Sequence, residues 1–153
     1  MSKAIPKQGL LEPDIVWWSG GAQSQQLLAS GEAPIGAFWN GRVFAVQKDE
    51  PGVGLSWNQN LTAADVLVVP KGAKNKDEAI KFLAQATSAK SQAELANITN
   101  YAPINTAAAK LMSPSDAANL PDRHAEGQIN LDMAYWAAHR DEIGKRWYGW
   151  QAK

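Results

Sequence analysis

Three residues could together hold a small organic cation: Trp39, Asp65 and Tyr101. A carboxylate flanked by aromatic rings offers an amine an ion pair and the negative faces of the rings. Asp65 sits near the start of the run "AADVLVVP" (63–70), where an isolated carboxylate is costly and needs a donor or a cationic partner. Trp39 interrupts a second apolar stretch, "GAFWNGRVFAV" (36–46), with an amide and a glycine directly behind it. Each residue also has an ordinary explanation. Trp39 could close a strand against the core, Asp65 could cap a neighbouring helix or pair with a lysine, and Tyr101 could pack in the loop between two helices. Residue types alone leave these alternatives open.

Catalytic readings find less support. The only histidines, His124 and His139, lack any metal-ligand spacing such as HExxH, and read as surface or helix-end residues. There is no cysteine, hence no thiolate nucleophile, disulfide or zinc–thiolate site. Neither GxSxG nor GxxxxGK[ST] occurs, and Ser19-Gly20-Gly21 is too short a signal for a phosphate cradle. Asn60-Leu-Thr62 and Asn97-Ile-Thr99 match the glycosylation pattern, which arises often by chance. The expectation is a binding protein, not an enzyme, without cofactor or metal.

Such residues need a scaffold, and 153 residues suffice for one ordinary domain with a real core. Lys plus Arg and Asp plus Glu are equal at 15 each, so no global field recruits nucleic acid or an anionic membrane. The partner must be recognised locally. The longest apolar run is far too short to span a bilayer, so membrane insertion is not expected. Met1 to Lys7 is positive but has no apolar stretch behind it, so the chain as given shows no secretory signal. Seven tryptophans are many for this length, and most should be core.

Short apolar runs alternate with helical patterns in the first half. Ile15–Trp18, Ile35–Trp39 and Val53–Trp57 read as strands; Ala22–Ser30 reads as a helix closed by Gly31, and Gly41–Lys48 as a helix capped by Asn40. That alternation predicts α/β layering. Ala63–Val69 is the best strand, apolar enough to be buried on both faces. Asn75 with Glu78 predicts a capping box for a helix running to about Ser88, with Ala79, Ile80, Leu83 and Ala86 on one face. Further helices are expected over about 91–98 and 105–112. Met133, Trp136, Arg140, Ile143, Trp147 and Trp150 then fall on one face of a terminal helix, which must pack on something large.

Four stretches resemble the extracellular solute-binding proteins of bacterial ABC importers, in particular the polyamine (spermidine/putrescine) group. They are the "WNG" element within Ile35–Phe44, "DVLVVPKGAKNKDEA" (65–79), the segment from Tyr101 to Pro114, and the ending "GKRWYGW". The resemblance covers the chain from about Pro13 onward and implies a type II periplasmic-binding-protein-like α/β fold, two lobes around a cleft. Family members are much longer, and this chain looks like their C-terminal half. The implied parts are 1–62 in the second lobe, 63–108 joining the first lobe, and C-terminal helices over 109–153.

The resemblance also implies roles. Trp39 and Tyr101 would be cleft side chains, Asp65 would receive an amine, Trp57 would lie near a cleft tryptophan, and Gln128 would be a polar contact before the last helix. Ala63 stands where polyamine binders carry an aromatic, so a smaller amine or an amino acid such as γ-aminobutyrate fits as well. Implied partners are an amine-bearing solute, an ABC permease, and either the missing N-terminal half or a second copy of the chain, and the implied location of the chain is the periplasm. With 63–108 lacking its lobe, apolar surface would be exposed and self-association favoured.

Overall fold

The computed structural model describes residues 11–152, so the charged N-terminal stretch considered above lies outside it. Ser19 and Gly20 lead into helix α1 (Gly21–Ala29), which ends at Ser30. The chain reverses at Gly31, whose φ of +75° lies in the left-handed region that glycine adopts without strain. Gly21, Ser24 and Leu27, three residues apart, form the buried face of α1. Ser24 is buried without penalty because its hydroxyl donates to the Gly21 carbonyl at 2.9 Å.

Helix α2 (Asn40–Gln47) buries Val43 and Val46, three residues apart, and packs on α1. Its cap differs from expectation. Trp39 occupies the N-cap position, its carbonyl accepting from the backbone N–H groups of Arg42 at 2.9 Å and Val43 at 3.2 Å. Asn40 is already helical, and its side chain is used elsewhere.

The expected strands do not form as such. Ile15–Trp18, Ile35–Trp39 and Val53–Trp57 carry no ladder, and the strands among the described residues are β1 (Leu61–Thr62) and β2 (Ile129–Asn130). These pair in parallel, Leu61 opposite Ile129 and Thr62 opposite Asn130. The doubly buried strand over Ala63–Val69 is overturned: Val66, Leu67 and Val68 are 76%, 58% and 74% exposed. β-branched residues suit a pleated, half-buried surface, but no neighbouring strand supplies one here.

Helix α3 (Lys76–Ala86) begins without the expected capping box. Asn75 has φ −110° and ψ 48° and makes no side-chain cap, leaving Asp77 and Glu78 to favour the first turn by charge. Ala79, Leu83 and Ala86 are half-buried, whereas Ile80 stays exposed. Helix α4 (Ala89–Thr99) is capped by Ser88, whose hydroxyl accepts from the Ser91 N–H at 3.3 Å. Ala93 and Ala96 bury against a 3-10 turn, Ala108–Leu111, all that forms of the helix expected over 105–112. Small side chains let these segments approach closely.

Helix α5 (Pro114–Ala118) is capped by Ser113, and helix α6 (Met133–Gln151) by Asp132, whose Oδ1 accepts from the Tyr135 N–H at 2.9 Å. The tryptophan face of α6 packs only in its second half. Ile143 and Trp150 are buried and Trp147 half-buried, but Met133 and Trp136 remain 55% and 41% exposed. What the second half meets is Trp17, edge-on to Trp147 at 5.5 Å and to Trp150 at 5.2 Å. The Trp150 indole N–H also donates to Glu12 Oε2 at 3.2 Å, so the ring's polar atom is satisfied.

Candidate functional site

The start of α2 and the end of α4 are docked on each other. Asn40 Nδ2 donates to the Asn100 carbonyl at 2.6 Å, across sixty residues of sequence. Gly41 approaches so closely that a β-carbon there would overlap the Thr99 carbonyl oxygen and stand 3.0 and 3.1 Å from two carbons of the Tyr101 ring. The amide and glycine in "WNG" thus serve a helix-to-helix joint. A hairpin turn is not what interrupts the apolar run.

Around this joint lie two of the residues singled out by type. Trp39 sits against Gly21 of α1 and edge-on to Trp18 at 5.4 Å, and the residue is 49% exposed. Tyr101 lies beside Gly41 at the helix start and is 40% exposed. Arg42, one turn into α2, extends toward α1 and donates from Nη1 to Gln25 Oε1 at 3.4 Å. Between α2 and the end of α4 an open depression of about 180 Å³ is lined by Gly41, Arg42, Lys48, Ile98 and Tyr101, among others. Its lining contains two cations and no carboxylate.

Asp65 does not join this group. It is exposed, and among the described residues it makes no hydrogen bond or ion pair, because the segment around it is not the buried strand that would have demanded one. Trp57 and Gln128 belong to a different cluster. The Trp57 indole stacks on the His124 ring at 4.6 Å with an interplanar angle of 4°, and Phe44 of α2 lies 6.4 Å away. Gln128 Nε2 donates to Asn60 Oδ1 at 3.0 Å and toward the Pro121 carbonyl at 3.4 Å. Asn60 is the centre of that cluster, its Nδ2 donating to the carbonyls of Trp57 at 2.9 Å and His124 at 3.0 Å.

Sequence reasoning overlooked Arg42. The available signal was its position three residues after Trp39 at the opening of a helix, which puts a cation about one turn from the aromatic ring. No group of three or more His, Cys, Asp or Glu able to hold a metal occurs among the described residues. None of their helices is long and apolar enough to cross a membrane.

A sequence profile of bacterial extracellular solute-binding proteins matches residues 3–123. The chain belongs to that family. Over its whole length it is similar to the γ-aminobutyric acid-binding protein of Pseudomonas aeruginosa, with 32% identity over 155 aligned positions and 44% of that protein covered. A spermidine/putrescine-binding periplasmic protein of Salmonella typhimurium is 31% identical over 122 positions, 73% of this chain and 34% of that one. Two solved structures share the fold of the family member described here. A GABA receptor superposes with a TM-score of 0.90 at 60% identity over 99% of this chain. An ABC transporter substrate-binding protein from Bradyrhizobium japonicum superposes with a TM-score of 0.88 at 37% identity over 97%. Each is covered to 48% of its own length, so the chain spans about half of such a protein. Its helix-rich architecture with one short parallel pair is accordingly a partial periplasmic-binding-protein-like α/β fold.

Proposed function

We propose that the chain serves as part of the solute receptor of an ABC importer, outside the cytoplasmic membrane, and that its ligand is a short ω-amino acid of the γ-aminobutyrate type. The observation that carries this reading is the charge of the depression beside Tyr101. Arg42, whose guanidinium reaches to Gln25 of α1, and Lys48 are among its lining residues, with no carboxylate. A ligand carboxylate would gain charge-assisted hydrogen bonds there, whereas a polyamine, cationic along its length, would be repelled. Tyr101, half-exposed, supplies an aromatic wall of the depression, and Trp39, half-exposed at the N-cap of α2, stands outside its lining. The lining offers the ligand's ammonium the ring face of Tyr101, and Asp65 lies outside this depression. The likeness to γ-aminobutyrate-binding relatives supports the same ligand class.

A polyamine is the second reading, favoured by similarity to spermidine/putrescine-binding proteins. The two differ at the carboxylate end. On either reading the protein partner is the importer's permease, and the chain binds without performing chemistry. Isothermal titration of γ-aminobutyrate, putrescine and spermidine into the purified chain separates them. We expect heat from γ-aminobutyrate alone, with modest affinity because an open depression leaves one side of the ligand in water. Arg42→Gln should remove that signal. Saturable binding of putrescine or spermidine without γ-aminobutyrate would overturn the ligand class.

A further inference from the structure

Trp39 and Tyr101 are remote in sequence, and one side chain connects the backbone that carries one to the backbone that carries the other. We propose that Asn40 is the positioning residue that fixes the Tyr101 ring relative to the start of α2 and thereby sets the aromatic wall of the depression. Its consequence for affinity rests on the solute-binding reading; its consequence for ring geometry does not.

The oxygen that Asn40 holds, at 2.6 Å, is the carbonyl of Asn100. That carbonyl belongs to the peptide unit joining Asn100 to Tyr101, so its orientation sets the direction in which Tyr101 leaves the helix. The other end of the same unit is also pinned, the Tyr101 N–H donating to Thr99 Oγ1 at 3.3 Å. Asn100 itself is left-handed, with φ 57° and ψ 19°, and so turns the chain out of α4 at this point. Asparagine tolerates that region better than most residues. Asn40 follows Trp39 directly, and Trp39 is anchored on Gly21 and Trp18. Trp39, Asn40, the Asn100 carbonyl and Tyr101 therefore form a short rigid path between the two rings, with Gly41 leaving room for the tyrosine beside it.

The chemistry fits asparagine specifically. The N-cap position of α2 belongs to Trp39 and has no side-chain cap, so the Asn40 amide is not spent on capping its own helix. A donor of this length reaches the carbonyl; aspartate has the same shape but turns an acceptor toward an acceptor, and serine is too short. The displaced carbonyl would rotate toward another donor or water and carry Tyr101 with it.

The chain has three tyrosines, Tyr101, Tyr135 and Tyr148, so 3-fluorotyrosine labelling yields three fluorine resonances, with Tyr101 identified by Tyr101→Phe. In ligand-free Asn40→Asp the Tyr101 resonance should shift while the other two stay in place. Affinity for γ-aminobutyrate should fall about tenfold, the scale of one lost hydrogen bond with its acceptor left unpaired. Asn40→Gln, which keeps the donor, should restore the resonance and part of the affinity. If wild-type protein binds no γ-aminobutyrate, the solute reading fails and the ligand-free resonance alone judges the positioning role. An unmoved Tyr101 resonance in Asn40→Asp overturns that role. Should Asn40→Asp fail to fold, Asn40→Ser gives the same comparison.

Discussion

The indole of Trp39 lies against the α-carbon of Gly21. A β-carbon at that position would stand 2.9 and 3.0 Å from two ring carbons and 2.6 Å from Arg42 Nε. One glycine on α1 thus seats both the Trp39 indole and the Arg42 side chain.

Gly21→Ala should therefore destabilise the chain and loosen the site together. Overpacking costs about 1–3 kcal/mol, and alanine's better helix propensity returns less than about 1 kcal/mol, so the net sign is unfavourable. Urea unfolding should show a lower midpoint, and γ-aminobutyrate titration a weaker affinity. Unchanged values in both would mean that the indole and guanidinium swing aside freely.

Gly41→Ala should be worse than Gly21→Ala. The atom met first at Gly41 is a backbone oxygen, that of Thr99, which cannot rotate away as a side chain can. The end of α4 would have to separate from α2, breaking the Asn40 to Asn100 hydrogen bond as well. We expect about 2–3 kcal/mol of lost stability, measured by the same unfolding experiment, and a changed Tyr101 fluorine resonance.

Helices were the legible part of this sequence, because their signals are local. The pattern over 22–30 and the stop at Gly31 found α1, and the three-and-four spacing found α6, since both depend on residues within one segment. Strands depend on a neighbour. Ala63–Val69 has every compositional mark of a buried strand, yet no second strand lies beside it among the described residues. The error carried into the site: Asp65 was expected to need a partner because its strand was expected to be buried. Trp39 and Tyr101 stand out by type, but the packing of Tyr101 against the start of α2 follows from the close approach at Gly41, which spacing does not encode. Arg42 is one of 15 basic residues, and type alone does not distinguish it from the others.

The same unpaired segment should make the isolated chain associate. Val66, Leu67 and Val68 are mostly exposed, an apolar run rich in β-branched residues and suited to pairing with a second copy. Sedimentation should show mass rising with concentration, and Val66→Lys with Val68→Glu should shift the protein toward monomer. A monomer at every concentration in the unsubstituted chain would reject this.

Asn60 should matter to the Trp57 cluster out of proportion to its size. Its side chain donates to two carbonyls and its Oδ1 accepts from Thr62 at 3.1 Å and Gln128 at 3.0 Å, tying the loop before β1 to the loop before β2. Asn60→Ala leaves several of these groups without a partner, and about 2 kcal/mol of destabilisation is expected. Near-ultraviolet circular dichroism should report loss of the Trp57–His124 stack, and an unchanged spectrum would show that the rings hold themselves.

Two tryptophans on one face of α6 provide the sharpest contrast. Trp150 is 6% exposed, touches Trp17 and Trp147 edge-on, and donates to Glu12; Trp136, on the same face, is 41% exposed and has Tyr135 as its ring neighbour. Spacing alone gives both the same role. Burial separates them: Trp150→Ala removes a core indole, leaves a cavity and strands the Glu12 contact, for about 3–5 kcal/mol. Trp136→Ala removes a ring that is 41% exposed and should cost clearly less, about 1 kcal/mol. Unfolding midpoints of the two variants, measured side by side, test whether α6 is anchored by its second half alone. Equal losses would mean that the first half is packed in solution against something as large as the Trp17 cluster.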